Sequence, residues 1–525
     1  MEDKNQSKKL NKKHKRSSQE NKVITEKQKD KKEKKEEKKL ENKKEEEAKE
    51  EITEGKATIR LCNKDKTFSA FYNPAQELNR DLTVISIATY FTFSKYLKQK
   101  EIKNLSEKKF TIIEPLSATG LRGMRFYTEL PKEKIQLITS NDWDSKAVEC
   151  IKINMEKNKV SSDKFNVFQE DAACLLYKNM KGYDIIDLDP YGSAIPYLDS
   201  CIQCAKNGSL LCLTFTDMPV LCGNYPETTL YKYGSIPYKV PFCHEMAKRI
   251  ALYSISNNAS KYKKVIKPVL SYNAEFYIRL FFIIKESPED CKKNAFKYGY
   301  MWHCKQCQNR IIKPLADFKE NKKANSIVKF NNLTIENQKC ECCDNNMCMC
   351  GPFWISDLHD EDWINSLLEN LNKSEWGYLK YNSRIQNILK GILNELPLKD
   401  MIFNLDYSQF SRDVNLSVFK IGIFEGAINS LGYKMVQSYY DPNLFKTDAP
   451  VKVIYDILKK YKKENYKEED YLKNVNKDSY KYNILNKEIK VQPKFIEVNR
   501  EKKIKYPMNP FPNWGPKGRP KEKKE

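Results

Sequence analysis

The chain has 525 residues and a formal net charge of +23. Residues 1–50 contain 19 Lys and Arg against 13 Asp and Glu, a net +6, which leaves +17 on the other 475 residues. So large a positive charge on residues 51–525 favours a polyanionic partner such as nucleic acid. The alternative explanation of the charge is a lysine-rich surface that is simply solvated. No apolar run reaches the roughly 18 residues of a membrane span, and no N-terminal segment is typical of a secretion signal. The 16 cysteines are therefore predicted to be reduced thiols or metal ligands.

Composition divides the chain into four predicted segments. Residues 1–56 contain no aromatic and few apolar residues, so they are predicted to form a disordered Lys/Glu-rich tail. In residues 57–285, strand-like runs alternate with helix-like stretches, a pattern that predicts a doubly wound, parallel α/β sheet. Residues 286–480 contain a cysteine cluster followed by mixed, largely helical sequence, which predicts a second domain. Residues 481–525 are basic and end in a stretch rich in Pro and Gly, which predicts a C-terminal tail.

The α/β segment contains seven runs that are predicted to be strands. In chain order they are residues 110–116, 135–142, 165–171, 183–190, 208–217, 265–271 and 276–285. Helices are predicted between them at 145–158 and 194–207. Each of the first five runs carries one acidic residue at or near its carboxyl end, in chain order Glu114, Asp142, Asp171, Asp189 and Asp217. Because open α/β sheets bind ligands beyond the carboxyl ends of their strands, this row of carboxylates is predicted to face a ligand.

The turn after the first strand, EPLSATGLRG, indicates the kind of ligand. Gly120 and Gly123 are expected where the backbone passes close to it. The turn is not GxGxxG and has no Walker lysine, which disfavours a dinucleotide or a triphosphate. Asp142, or alternatively Asp144, is placed to accept hydrogen bonds from ribose hydroxyls, and Asp171 from an adenine amine. These features predict an adenosine ligand with a positive centre and no phosphates, such as S-adenosylmethionine.

The fourth strand ends in Asp189-Pro190-Tyr191-Gly192. This sequence resembles the Asp/Asn-Pro-Pro-Tyr/Phe signature of methyltransferases that act on exocyclic amines. Asp189 and the carbonyl of Pro190 are predicted to accept the two N–H bonds of such an amine, while Tyr191 offers a face on which the base stacks. The alternative is a strand end whose Asp189 caps the next helix.

The cysteine cluster has the spacing of a structural zinc site. Its members are Cys304, Cys307, Cys340, Cys342, Cys343, Cys348 and Cys350. Two C-x2-C pairs about thirty residues apart suit tetrahedral zinc, and Cys304, Cys307, Cys340 and Cys343 match best. Cys348 and Cys350 are alternatives for the second pair, and buried free cysteines are the alternative to any metal. Four thiolates leave no open position, so the predicted site is structural.

Several long motifs resemble the tRNA guanine-26 N2-dimethyltransferase family. They lie at residues 71–82, 116–126, 215–250, 271–282, 351–360 and 509–520. The resemblance implies a class I S-adenosylmethionine-dependent, Rossmann-like methyltransferase domain joined to a family-specific C-terminal α+β domain, at residues 286–480, that binds RNA and has a Cys-rich zinc-type site. It also implies that two methyl groups are transferred to one guanine amine of tRNA.

The resemblance also assigns residues and partners. The family's cofactor contacts fall on Arg80, Arg122, Asp142, Asp171 and Ala172, and its catalytic acid falls on Asp189. The predicted partner is tRNA, with no membrane and no obligate protein partner. The stretch at 8–16 resembles a nuclear-import signal, so the nucleus is predicted, with the mitochondrion or cytoplasm as alternatives. Two rival functions are methylation of another RNA guanine or of DNA adenine, and zinc-dependent RNA binding with an inactive enzyme domain.

Overall fold

The structure is a computed structural model that describes most of the chain between residues 51 and 499. The described residues are 51–61, 72–96, 105–274, 276–321, 324–333, 339–466, 472 and 475–499. Residues 1–50 of the predicted tail, which include the import-like stretch, and the motif at 509–520 lie outside them. Within the described ranges, no helix combines the length and the apolar character needed to cross a membrane.

A hairpin and a seven-stranded sheet form the first part of the fold. The strands, in chain order, are β1 (Glu51–Glu54), β2 (Ala57–Arg60), β3 (Phe110–Glu114), β4 (Ile135–Asn141), β5 (Phe165–Phe168), β6 (Tyr183–Leu188), β7 (Ala205–Phe215), β8 (Lys264–Ala274) and β9 (Tyr277–Glu286). Across the sheet the order is β5-β4-β3-β6-β7-β9-β8. The first five of these strands are mutually parallel, which confirms the predicted α/β sheet.

One of the last two strands, β9, departs from the prediction of a wholly parallel set. β9 lies between β7 and β8 and is antiparallel to both. The physical reason is the connection, because only two residues separate β8 from β9 along the chain. A parallel pair needs a crossover of a dozen or more residues, whereas a short link forces an antiparallel hairpin.

The described residues form fifteen α-helices. In order they are α1 (Glu77–Tyr90), α2 (Leu121–Glu129), α3 (Ser145–Lys157), α4 (Ala172–Lys178), α5 (Leu198–Cys204), α6 (Met218–Leu221), α7 (Pro226–Tyr233), α8 (Cys243–Lys261), α9 (Pro288–Lys292), α10 (Glu361–Leu371), α11 (Asn382–Glu395), α12 (Tyr407–Asp413), α13 (Ile421–Ser430), α14 (Val451–Asn465) and α15 (Tyr480–Leu485). The second half adds strands β10 (Tyr298–Cys304), β11 (Arg310–Pro314), β12 (Ala316–Asn321), β13 (Ala324–Phe330), β14 (Met347–Trp354), β15 (Leu405–Asp406), β16 (Met435–Gln437) and β17 (Leu444–Thr447).

Both faces of the central sheet are buried. Successive side chains of a strand point to opposite faces, and the neighbours Ile112 and Ile113 accordingly belong to different apolar clusters. The same alternation separates Ile185 from Ile186. Near-continuous apolar runs are therefore what these parallel strands require. From β3 the chain builds β4 and β5 on one side and β6 and β7 on the other, so the order reverses between β3 and β6. Such a reversal opens a crevice at the carboxyl ends of the strands.

The predicted disordered tail extends too far into the chain. Its last residues form β1, which pairs with β2, and Glu54 at the end of β1 is buried. The Glu54 carboxylate receives hydrogen bonds from Arg80 Nε at 2.6 Å and from Arg125 Nη1 at 2.8 Å. Buried charges of opposite sign order this segment, although its composition resembles that of the preceding tail.

The domain boundary predicted at residue 285 lies at the end of the seven-stranded sheet. It does not separate two apolar cores, because later helices pack into the first one. Helices α10 and α11 contribute apolar side chains to the same cluster as β3 and α1. Three polar contacts accompany this packing: Tyr381 N donates to Asp81 at 3.0 Å, Lys380 pairs with Glu77 at 2.5 Å, and Asn370 donates to Thr89 at 2.9 Å. The first core is thus completed by residues far along the chain.

The region after residue 400 forms its own apolar cluster around helices α12 to α14 and the cysteine group. Ile484 and Leu485 of α15 are buried in that cluster. The C-terminal tail predicted from residue 481 therefore begins too early, because its first turn of helix is part of the core. The side-chain amide of Asn483 donates to the carbonyl of Cys343 at 3.1 Å, which ties α15 to the cysteine group.

Candidate active site and metal centre

Four of the five predicted acids lie at the carboxyl ends of the parallel strands. Asp142 directly follows β4, and Asp189 directly follows β6. Asp171 caps the N-terminus of α4, whose first residue, Ala172, is buried. Asp217 follows β7 after one intervening residue. These four acids follow strands β4 to β7, so they lie along the carboxyl edge of the sheet on either side of the order reversal, and that they face a ligand stays a prediction.

Glu114 does not face a ligand and instead supports the turn after β3. It is buried, and its Oε2 accepts from the backbone N of Gly123 at 3.2 Å and from Ser140 Oγ at 3.3 Å. Burial, reinforced by the nearby Asp187 carboxylate, raises the pKa of Glu114 to about 8. The expectation that this acid belongs to the ligand-facing row is therefore wrong, because Glu114 is the last residue of β3 itself and is buried, whereas the other four acids follow the ends of their strands.

Asp189 belongs to a buried cluster of two carboxylates and two guanidiniums. Arg122, from the start of α2, donates through Nη2 to Asp189 and pairs through Nη1 with Asp187 at 3.3 Å. Arg279 of β9 pairs with the second oxygen of Asp187. The reversed strand thereby supplies the second cation of the cluster. Only Asp189 reaches the surface of this group, with 19% of its side chain exposed.

The charges keep Asp189 ionised. Burial alone would raise the pKa of its carboxyl, but the cations of Arg122 and Arg279 outweigh burial and hold that pKa below the ordinary value. An ionised carboxylate is purely a hydrogen-bond acceptor. Asp189 is therefore suited to accept N–H bonds from an amine at neutral pH.

Asp187 and Arg279 are members of the cluster that the sequence analysis above does not predict as site residues. The sequence contains one sign of their role, which is the same for both: each is a charged residue within an otherwise apolar strand. An unpaired charge buried at such a position is costly, so two interruptions of opposite sign indicate a pair. Arg279 is also held by Thr214 Oγ1 at 2.7 Å and Thr83 Oγ1 at 2.9 Å.

The turn that follows Asp189 is fixed to the end of β7. The backbone N of Gly192 donates to Thr216 Oγ1 at 2.8 Å, and Thr216 N donates to the carbonyl of Gly192 at 2.7 Å. Pro190 is buried, whereas 58% of Tyr191 is exposed, which leaves its ring accessible for stacking. The alternative in which Asp189 caps a helix is not realised, because the next helical turn begins at Ile195.

Asp142 and Asp144 have different local roles. Asp142 Oδ2 accepts from the backbone N of Ala118 at 2.9 Å, and its Oδ1 accepts from Asp144 N at 3.1 Å. Asp142 thus braces the turn after β3, in which Ala118 has a positive φ of 49°. Asp144 caps α3 by accepting from Lys146 N at 2.8 Å. Of the two acids, Asp142 is the one at the crevice.

The predicted cofactor residues Arg80 and Arg122 are both paired with carboxylates. Arg80 forms two hydrogen bonds with Glu54, at 2.6 and 2.5 Å, and donates to the carbonyl of Asn73 at 3.1 Å. Arg122 is engaged by the ion cluster and by Asn79 Oδ1 at 3.3 Å. Glu54 was assigned to the disordered tail and so was missed as the partner of Arg80.

One of the two glycines in the turn serves packing. A side chain at Gly123 would come within 2.5 Å of Ser140 Oγ and 2.9 Å of the Phe165 ring, so glycine lets α2 lie against the sheet. Gly120 has a φ of 73°, a left-handed conformation that favours glycine at the start of α2. The prediction that Gly123 makes room for a ligand is therefore wrong.

Four cysteines converge at the end of β10. Their sulfur atoms, from Cys304, Cys307, Cys340 and Cys343, all lie within 4.8 Å of one another, and all four residues are buried. The shortest separations are 3.4 Å, between Cys304 and Cys343 and between Cys307 and Cys340. This arrangement can hold a metal ion. The four cysteines that converge are the same four whose sequence spacing best matches two C-x2-C pairs. Cys348 and Cys350 lie along β14 and are not part of the group.

Hydrogen-bond donors surround the cysteine sulfurs. Cys340 Sγ accepts from the backbone N of Cys342 at 3.4 Å and from Asn309 Nδ2 at 3.5 Å, and Cys304 Sγ accepts from Gln306 N at 3.5 Å. Donors of this kind stabilise thiolates and orient metal ligands. The environment therefore fits bound thiolates better than four free, neutral thiols.

The strand order with its single reversed strand, and the Asp-Pro-Tyr-Gly turn beside the order reversal, define a class I S-adenosylmethionine-dependent methyltransferase. A family model described as N2,N2-dimethylguanosine tRNA methyltransferase matches residues 48–459. The chain belongs to this family, as the motifs predict.

Relatives and a solved structure agree with this assignment. The tRNA (guanine(26)-N(2))-dimethyltransferase of Schizosaccharomyces pombe is 34% identical over 89% of this chain and 92% of its own length. The enzyme of the same name from Methanobrevibacter smithii is 30% identical over 79% of this chain and 98% of its own length. Trm1 from Pyrococcus horikoshii, solved in complex with S-adenosyl-L-methionine, superposes with a TM-score of 0.63 at 26% identity, covering 78% of this chain and 99% of that one.

Proposed function

We propose that the protein transfers two methyl groups from S-adenosylmethionine to N2 of guanine 26 in tRNA, giving N2,N2-dimethylguanosine. The observation that carries the proposal is the ionised Asp189 at the crevice of a chain that belongs to the dimethyltransferase family. The named activity of the relatives supports the choice of guanine 26.

The residues of the crevice suit an aryl amine. The lone pair of such an amine is delocalised into the base, which makes the nitrogen a poor nucleophile. Asp189 and the carbonyl of Pro190 accept its two N–H bonds and favour a pyramidal nitrogen, while Tyr191 stacks on the base. The cofactor supplies a methyl group on a sulfonium. The target base must leave its stack to reach these groups.

The direct test is methylation of purified tRNA, followed by digestion to nucleosides and mass spectrometry. We expect N2,N2-dimethylguanosine, and mapping should place it at position 26. Methyladenosine, or methylguanosine at another position, would favour the rival methyltransferase. An absence of both methyl transfer and cofactor binding would favour an RNA-binding protein with an inactive domain.

A salt series tests whether phosphate contacts dominate tRNA binding. Because the chain beyond residue 50 carries +17, we expect log Kd to rise linearly with log salt concentration. With about six to ten phosphate contacts, affinity should fall by about a thousandfold or more between roughly 50 and 200 mM salt. Filter binding or fluorescence anisotropy measures this dependence. An affinity that stays constant over that range contradicts the proposal.

Asp142→Ala tests the cofactor site, with Asp144→Ala as its matched control. We expect Asp142→Ala to weaken S-adenosylmethionine binding by about tenfold or more, since it removes a ribose acceptor and a brace of the turn. Asp144→Ala should lower the melting temperature through its lost helix cap but leave the cofactor Kd nearly unchanged. Calorimetric titration measures both values. If Asp144→Ala weakens binding more than Asp142→Ala, the roles are reversed.

We infer that the four converging cysteines hold a structural zinc ion. Zinc bonded to four thiolates at about 2.3 Å places the sulfurs about 3.8 Å apart, close to the separations found here. The group lies within the apolar cluster of the region after residue 400, so an ion there would stabilise that region. We propose that this region helps to position tRNA. The nuclear location stays a prediction.

A further inference from the structure

One face of α1 lies against the buried cluster that contains Asp189. Asn79 Oδ1 accepts from Arg122 Nη2 at 3.3 Å, and the same nitrogen pairs with Asp189. One turn later, Thr83 Oγ1 accepts from Arg279 Nη2 at 2.9 Å. The stripe that includes Asn79 and Thr83 therefore faces the catalytic side of the crevice.

The direction of α1 places its first turn at the carboxyl edge of the sheet. Near the end of the helix, the Tyr90 hydroxyl donates to the carbonyl of Gly208, close to the start of β7, at 2.6 Å. Asn79 Nδ2 donates at 3.3 Å to Thr214, close to the end of β7. The turn before Asn79 thus lies at the level of the strand ends, where Asp189 stands.

Gln76 occupies that turn and has an unusual environment. It immediately precedes α1 with right-handed helical angles, so it lies on the face of Asn79, about 4.5 Å further toward the helix start. Only 8% of the residue is exposed, and its buried Oε1 has no hydrogen-bond partner among the residues that the structure describes. A buried amide oxygen without a partner is costly and rare, which points to a ligand that completes it.

We propose that Gln76 determines specificity for guanine; this inference rests on the proposed function. Beside its 2-amine, guanine carries a donor at N1–H and then an acceptor at O6. With the amine on Asp189, Gln76 Oε1 accepts from N1–H and Gln76 Nε2 donates to O6. A carboxamide pairs with both positions at once, whereas a carboxylate or an ammonium group satisfies only one of them.

The test compares Gln76→Met with the wild type on two tRNAs. One carries guanine at position 26, and the other carries 2-aminopurine, which keeps the 2-amine but lacks both N1–H and O6. We expect Gln76→Met to lower kcat/KM for the guanine substrate by about ten- to a hundredfold and to leave the rate on 2-aminopurine nearly unchanged. The Kd of S-adenosylmethionine should stay within about twofold of the wild-type value.

Each other outcome overturns the inference. An equal loss on both tRNAs means that Gln76 is only structural. The quantity compared is the ratio of kcat/KM on the guanine tRNA to kcat/KM on the 2-aminopurine tRNA. Partial unfolding of the variant lowers both values equally and leaves this ratio unchanged. A weakened cofactor Kd with an unchanged ratio means that the carboxamide serves the cofactor. A wild-type enzyme that leaves guanine 26 unmethylated contradicts the proposed function itself, which this assay detects separately.

Discussion

Replacing Asp189 by Ala should slow methyl transfer by about a hundredfold or more at saturating S-adenosylmethionine. The lost carboxylate is the acceptor that matters most as the amine becomes pyramidal. Arg122 keeps Asp187 as a partner, which it then shares with Arg279. Single-turnover kinetics with the enzyme in excess over tRNA measure the chemical step directly, and the cofactor Kd should change little.

Asp184→Asn is the matched control for Asp189→Ala. Asp184 lies near the opposite end of β6, is buried, and pairs with Lys206 at 2.8 Å and Lys108 at 3.0 Å. Its replacement should lower the melting temperature without a comparable loss of rate, because it is remote from the crevice. Wild-type transfer by Asp189→Ala would show that the carboxylate is only structural.

Replacing Cys304 and Cys307 together by Ser should abolish zinc binding and unfold the C-terminal core. Structural zinc in small domains contributes on the order of 10 kcal/mol to folding, which exceeds the net stability of most domains. We therefore expect no bound zinc by atomic emission, a lower melting temperature and weaker tRNA binding.

The control for this prediction is Cys348→Ser. Cys348 belongs to the same cysteine-rich stretch but lies outside the group of four. It should retain one zinc ion per chain and the wild-type melting temperature. Unchanged metal content and melting in the double variant would contradict the zinc assignment, and zinc loss in Cys348→Ser would return that residue to the candidate ligands.

The position of Asp189 was predictable because both its signals are local. A Pro that ends an apolar run marks the strand end, and the rule for parallel sheets places ligands there. The convergence of the four cysteines was predictable for the same reason, since C-x2-C spacing is a property of one turn. Such features require no knowledge of which elements become neighbours.

The partners of these residues were not predictable in the same way. Arg122, Asp187 and Arg279 meet only because β9 is inserted antiparallel in the sheet, and Glu54 meets Arg80 only when the first hairpin docks. Composition even placed Glu54 in the wrong segment, since its local sequence resembles the charged tail. Tertiary pairing of buried charges, rather than local propensity, determines these contacts.

The joining of α1 to α10 and α11 has a consequence for synthesis on the ribosome. The contact between Asp81 and Tyr381 joins residues 300 positions apart. At about 5 to 20 residues per second, the ribosome needs about 15 to 60 s to make that intervening chain. During this time the apolar face of α1 has no partner from the later helices. We therefore expect the nascent methyltransferase domain to bind chaperones until α10 and α11 emerge from the ribosome.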